Sequence, residues 1–281
     1  MKITETAPTK INLGLKIIGQ RDDGFHNILS VFQTISLFDK LSIEKSQNTT
    51  LSCDYPGLPK DSGNIIIRAE KLIKEKFDIK DNFRFVLKKK IPAGAGLGGG
   101  SSDAAAAIRG LLKLYNIDIT ETEKRKLASE LGSDVPFLIS GGTAVISGRG
   151  EIIENIGWPF DFFYVLVYPN FGVSTSWAYK SLKKGVDIEK YMDMTLKLKK
   201  LNIEKESLLD AIENDFEDTV FKEYPILAEI KNNFLVNGAS ASVMSGSGST
   251  IIGIFENENT ASFCCNLFSY KGYKSFLAKK Y

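Results

Sequence analysis

The chain has 281 residues, 43% hydrophobic and 25% charged, enough for one large domain or two ordinary ones with a sizeable core, and it is not disordered, collagen-like or coiled-coil. Lys and Arg number 36 against 34 Asp and Glu, and no basic stripe concentrates the resulting +2, so a nucleic-acid partner is disfavoured. Cys53 and the vicinal Cys264 and Cys265 build no metal-finger spacing, and the lone histidine, His26, excludes multi-histidine sites, so any metal is expected to be oxygen-bound, as magnesium is.

From Lys10 to Ile18 the pattern alternates, with Ile11, Leu13, Leu15 and Ile17 on one face, which predicts a half-buried strand. Pattern alone puts Lys10 and Asn12 on a solvated strand face. The polar interruptions also exclude a continuous signal-peptide core, and no run approaches a membrane span, so a cytoplasmic protein with no membrane partner is expected. Arg21 to Gly24 marks a turn carrying Phe25 and His26, and Ile28 to Ile43 reads as strand or mixed structure. Asp61 to Asn64 opens a helix through Ala69, Leu72 and Ile73. Phe83, Phe85 and Leu87 predict a strand ending in Lys88-Lys89-Lys90 before Pro92.

A glycine-rich loop follows, Pro92-Ala93-Gly94-Ala95-Gly96-Leu97-Gly98-Gly99-Gly100-Ser101-Ser102, and leads into a helix over Ala104 to Tyr115. Thr120 and Glu123 make a capping box for the next helix, with Gly132 as its stop and Asp134-Val135-Pro136 just beyond. Strands are expected at Thr143–Ser147 and Phe162–Tyr168, with a domain boundary near Gly157–Pro159. The remainder predicts helices around Thr175–Leu182, Ser207–Val220, Pro225–Phe234 and Thr260–Tyr270, a turn at Ser245–Ser249, and a strand at Ile251–Phe255. The mixture lacks the regular period of a doubly wound sheet.

Five of the seven positions from 94 to 100 are glycine, which loses entropy on folding and buries no side chain, so close backbone approach is its use here. A loop of this kind opening a helix aims unpaired N–H groups and the positive end of the helix dipole at one point, which suits a phosphate chain. Ser101 and Ser102 are expected to add hydroxyl donors. Gly94-x-Gly96-x-x-Gly99 formally satisfies the dinucleotide fingerprint, but Lys88–Lys90 and Pro92 separate it from its strand. The nucleotide-triphosphatase phosphate loop ends Gly-Lys-Ser/Thr, whereas this one ends Gly-Ser-Ser-Asp.

Pro92-x-x-x-Gly96-Leu97-Gly98-x-x-Ser101-Ser102 resembles the signature of the kinase superfamily named for galactokinase, homoserine kinase, mevalonate kinase and phosphomevalonate kinase. Its triple-glycine form is similar to one branch, the kinases acting on a cytidine-diphosphate-linked methylerythritol in the non-mevalonate route to isoprenoid precursors. The likeness continues in order through Ala7-Pro8-Thr9-Lys10-Ile11-Asn12-Leu13, Arg21-x-Asp23-Gly24-Phe25-His26, Asn64-Ile65-Ile66, Asp134-Val135-Pro136-Phe137, Gly148-Arg149-Gly150-Glu151, Val173-Ser174-Thr175, Asn214-Asp215-Phe216 and Ser245-Gly246-Ser247-Gly248. Thr9 and Ser133 replace usual alanines, and Phe25 stands where tyrosine is common.

The resemblance implies an α+β fold of two domains, 1–155 (ATP-binding) and 156–281, with the active site in the cleft between them. It implies transfer of the ATP γ-phosphoryl group to the 2-hydroxyl of the methylerythritol moiety, with magnesium accompanying ATP. Asp134 is the implied base, and Lys10 the cation that keeps it ionised and steadies the phosphoryl group. Loop residues 92 to 102 are implied at the phosphates, Asn64 at the adenine, Asn12 near the reacting hydroxyl, His26 at the cytosine edge, Thr175 among the substrate contacts, and Phe25 with Tyr179 as the two sides of an aromatic sandwich. Competing readings are a kinase of the same superfamily acting on homoserine or mevalonate and, from another class, a nucleotide-binding module or oxidoreductase using the formal dinucleotide fingerprint.

Overall fold

A computed structural model describes residues 2–182, Leu196 and residues 204–281. The chain divides into two compact units that interleave in sequence: Met1–Thr9, Leu37–Pro92 and Gly98–Gly141 form the first, Lys10–Ser36, Ala93–Leu97 and Gly142–Tyr281 the second. The expected cut at 155/156 therefore falls inside the second unit. Two long strands explain this, because β1 (Lys2–Gln20) and β2 (His26–Ser46) each contribute to both units. The second half of β1 joins the C-terminal residues through its own backbone: Leu15 N–H donates to the Glu213 carbonyl at 2.8 Å, and the Leu15 carbonyl accepts from Asp215 N–H at 3.0 Å.

In the first unit the end of β2 pairs antiparallel with β4 (Asn82–Lys88), from Lys40 opposite Lys88 to Ser46 opposite Asn82, and β3 (Thr50–Cys53) runs parallel to β4. Phe83, Phe85 and Leu87 are buried as their alternation predicts, each contributing roughly 1.5–3 kcal/mol of hydrophobic stabilisation. Helix α1 (Ile65–Phe77) packs beside α2 (Gly99–Leu114), whose Ala104–Ala107 run is wholly buried. Gly110 lets α2 settle on β2, since a Cβ there would lie 2.5 Å from Ile43 Cδ1. α2 begins at Gly99 rather than Ala104, so the last loop glycines and both serines form its first turn. Helix α3 (Glu121–Ser129) carries the predicted capping box, and α4 (Val135–Ser140) follows with Asp134 at its N-cap.

In the second unit the start of β2 pairs antiparallel with β5 (Thr143–Gly148), which pairs with β6 (Ile152–Asn155). A separate antiparallel sheet has the order β10 (Lys274–Lys279), β7 (Phe163–Tyr168), β9 (Ile251–Phe255), β8 (Ala241–Met244). Among the described residues, helices α5 (Thr175–Ser181), α6 (Lys205–Asp210), α7 (Glu217–Glu223), α8 (Pro225–Val236) and α9 (Glu258–Tyr270) lie in the same unit. The single helix expected over Ser207–Val220 is two. Asn214 breaks it: its Nδ2 donates to the Met244 and Gly246 carbonyls at 2.7 Å each, and its Oδ1 accepts from Phe216 N–H. Among the described residues no helix is long and apolar enough to cross a membrane.

Candidate active site

The first half of the glycine loop is braced within the second unit by the Ser245–Ser249 turn. Ser245 Oγ donates to the Gly96 carbonyl at 3.0 Å, Thr250 N–H to the Ala95 carbonyl at 3.3 Å, and Lys10 N–H to the Leu97 carbonyl at 3.3 Å. Gly96 has φ +76°, and a Cβ there would sit 2.3 Å from the Ser245 carbonyl oxygen and 2.9 Å from that of Gly248. Only glycine permits this approach. Pro92, Ala95 and Leu97 anchor the loop by burial, Ala93 is half-buried, and Gly94 is exposed.

The second half of the loop opens α2 in the first unit. Gly98 is the N-cap in the left-handed region, with no side-chain cap, and the first ladder bond runs from Ser102 N–H to its carbonyl at 2.9 Å. The N–H groups of Gly99, Gly100 and Ser101 thus have no partner in the helix, the arrangement that binds anions. Gly100 is exposed, and a Cβ there would meet only Ile65 Cγ2, at 4.0 Å, so packing does not explain its lack of a side chain. The Ser102 hydroxyl is buried and donates to the Pro8 carbonyl at 2.6 Å. Asn64, expected at the adenine, caps α1, with Oδ1 accepting from Ile66 N–H at 2.9 Å and Nδ2 donating to the Pro59 carbonyl at 2.7 Å.

Lys10 and Asn12 do not lie on a solvated face; both are buried, 5% and 2% exposed. Lys10 Nζ donates to Asn12 Oδ1 at 2.8 Å and lies 4.2 Å from the Phe32 ring centroid, where the ring quadrupole attracts a cation. Asn12 Nδ2 donates to Ser30 Oγ at 3.0 Å, and Ser30 Oγ passes its own proton to the Gly14 carbonyl at 2.5 Å. Burial of these polar groups is tolerated because the chain of donors is satisfied. Ser30 and Phe32 were not legible as site residues, since β2 is buried on both faces and shows no period that separates them.

Asp134 is half-buried, and its side chain makes no capping bond to α4. His26 and Tyr179 stack with centroids 4.8 Å apart and planes 25° from parallel, and Tyr179 sets its ring edge-on to Phe216 at 4.9 Å. The ring that faces Tyr179 here is His26, at direct stacking distance. Phe25 is 58% exposed, with the Arg149 guanidinium 5.0 Å from its centroid. Thr175 begins α5, and its Oγ1 lies 2.9 Å from Ser247 Oγ of the bracing turn. Among the described residues no group of three or more His, Cys, Asp and Glu could hold a metal ion.

Two family profiles match the chain: "GHMP kinases N terminal domain" over residues 64–142 and "GHMP kinases C terminal" over residues 196–272. A protein of Acetivibrio thermocellus named 4-diphosphocytidyl-2-C-methyl-D-erythritol kinase is 40% identical over 97% of this chain and 95% of its own length. A protein of the same name from Bacillus cereus (strain B4264) is 37% identical over 100% and 96%. Among solved structures, a 4-(cytidine 5'-diphospho)-2C-methyl-D-erythritol kinase superposes with a TM-score of 0.81 at 29% identity, covering 99% of this chain and 98% of that one. A homoserine kinase from Cytophaga hutchinsonii, at 16% identity and a TM-score of 0.74 over 100% of this chain and 94% of that one, shares the fold.

Proposed function

This chain belongs to the GHMP kinases and, within them, to the family of 4-diphosphocytidyl-2-C-methyl-D-erythritol kinases, and we propose that it transfers the terminal phosphoryl group of ATP to the 2-hydroxyl of that substrate with the residues assigned below. The reaction is a step of the non-mevalonate route to isoprenoid precursors. The glycine loop carries the proposal: three N–H groups at the start of α2 are left without helical partners beside an exposed glycine that packing does not require.

Phosphoryl transfer needs positioning and charge stabilisation more than covalent chemistry. The ATP phosphates lie along residues 93 to 101, where the N–H groups and the helix dipole oppose their charge. Asp134, half-buried at the head of α4, takes the proton from the attacking 2-hydroxyl. Lys10, oriented by Asn12 and held over Phe32, offsets the charge on the transferring group. At the other end of the substrate, the exposed face of Phe25 receives the cytosine, and a phenylalanine keeps the stacking surface of the usual tyrosine. His26 hydrogen-bonds the edge of the base, its imidazole fixed by the stack on Tyr179. Thr175 and Ser247 contribute hydroxyls beside the loop. Magnesium accompanying ATP would be held mainly through phosphate oxygens and water, and would supply neutralisation of phosphate charge.

ADP release measured with 4-diphosphocytidyl-2-C-methyl-D-erythritol, mevalonate and homoserine in parallel tests the substrate assignment. Turnover confined to the cytidyl compound is expected. Turnover with mevalonate or homoserine instead would contradict it.

A further inference from the structure

Beneath the first turn of α2 lies a buried ion cluster made from the lysine run that ends β4. Lys89 is 3% exposed at its side chain, and its Nζ donates to Asp39 Oδ2 at 2.5 Å and to Asp103 Oδ2 at 2.8 Å, both carboxylates being buried. Asp39 Oδ1 also accepts the N–H groups of Lys90 at 2.5 Å and Ile91 at 2.9 Å. One cation thus ties β2, through Asp39, to the segment entering the loop, and both to α2, through Asp103. Gly99 rests directly on this cluster: a Cβ there would lie 2.9 Å from Ile91 Cγ2 and 3.3 Å from Lys89 Nζ.

A cation placed here is opposed twice, by its own desolvation and by the positive end of the α2 dipole. Buried ion clusters stabilise a fold no better than apolar side chains of the same volume, and their attested use is to specify one geometry. The segment specified is the turn whose Gly99, Gly100 and Ser101 N–H groups have no helical partner. We propose that Lys89, with Asp39 and Asp103, is the positioning clamp that sets the first turn of α2, and with it these N–H groups, against the ATP phosphates. The inference rests on the assignment of this loop to ATP. None of the three side chains touches the substrates; they act through the backbone they hold.

Binding of a non-hydrolysable ATP analogue, measured by calorimetry, and steady-state kinetics test it together. Asp103→Ala is expected to weaken analogue binding and raise KM for ATP about tenfold, the scale of one hydrogen bond to a charged group. KM for the cytidyl substrate and kcat at saturating ATP should stay within about twofold of wild type on the same reasoning. Asp103→Asn keeps the acceptor oxygen and the size of the side chain, and is expected to restore ATP affinity. Lys89→Met should reproduce the Asp103→Ala phenotype. Unchanged ATP affinity in folded Asp103→Ala and Lys89→Met would overturn the clamp alone, as would a parallel loss of kcat, both KM values and Tm. Failure of the wild-type enzyme to bind the analogue would overturn the loop assignment and the clamp with it.

Discussion

Lys10 reaches along its own strand to Asn12, with Nζ donating to Oδ1 at 2.8 Å, so two residues of one motif fix each other's orientation before any substrate arrives. Removing Asn12 leaves the ammonium its place over Phe32 but takes away a charge-assisted hydrogen bond of about 1.5–3 kcal/mol. Asn12→Ala is therefore expected to lower kcat by about 10- to 150-fold, with KM for ATP little changed, in steady-state kinetics. Unchanged kcat would mean that Asn12 does not orient Lys10.

Asp134 stands at the N-cap of α4 without capping it, which separates its catalytic from its structural reading. Loss of a true cap costs about 0.5–2 kcal/mol, whereas loss of a general base costs about 10²- to 10⁴-fold in rate. Asp134→Asn should show the second effect with Tm unchanged. A lower Tm with kcat preserved would return Asp134 to a structural role.

At Gly100 stability and function are expected to part. The site has room for a methyl group and lies inside a helix, so Gly100→Ala should raise stability by up to about 1 kcal/mol in urea denaturation. The same methyl group stands where the phosphate chain approaches, so KM for ATP should rise. Stabilisation without a change in KM would move the phosphates elsewhere.

Much of this was legible in the sequence for a physical reason: glycine at a close approach, as at Gly96, has no substitute, and a capping box such as Thr120 with Glu123 is written in four residues. The interleaved units were not legible, because β1 and β2 bury polar residues on both faces and so carry no period marking where one unit ends. Pattern accordingly assigns Lys10 and Asn12 to water, and only their motif points inward, where both are buried. The Tyr179 stack was missed because ring partners depend on how α5 and the turn before β2 meet, which is tertiary geometry. The short edges β3, β6 and β10 were missed because segments of four to six residues show too few alternations to stand out.

Asp103 predicts a pH dependence whose sign is fixed. Burial pushes its carboxyl up to about 7 despite the opposing pull of Lys89, and its Oδ1 is buried with no hydrogen-bond partner. Burial also disfavours the charge on Lys89, but Asp103 and Asp39 outweigh it and hold the ammonium above its ordinary value, so Lys89 contributes no change near neutrality. An unfolded aspartate titrates near about 3.9. Between that value and 7 the folded protein binds the extra proton, so this group's contribution to stability is full below the window and is lost as pH rises through it. Asp103→Asn removes the linkage, and urea denaturation at pH 5 and 8 should find the variant gaining on wild type at the higher pH. The opposite trend would mean that Asp103 is ionised throughout.

The site of phosphorylation is tested most directly by the product's 31P spectrum. Phosphate on the tertiary 2-hydroxyl is predicted to give a new monoester resonance without three-bond coupling to a carbinol proton, beside an unaltered diphosphate pair. A monoester signal split by such a proton would place the phosphate on another hydroxyl and contradict the account.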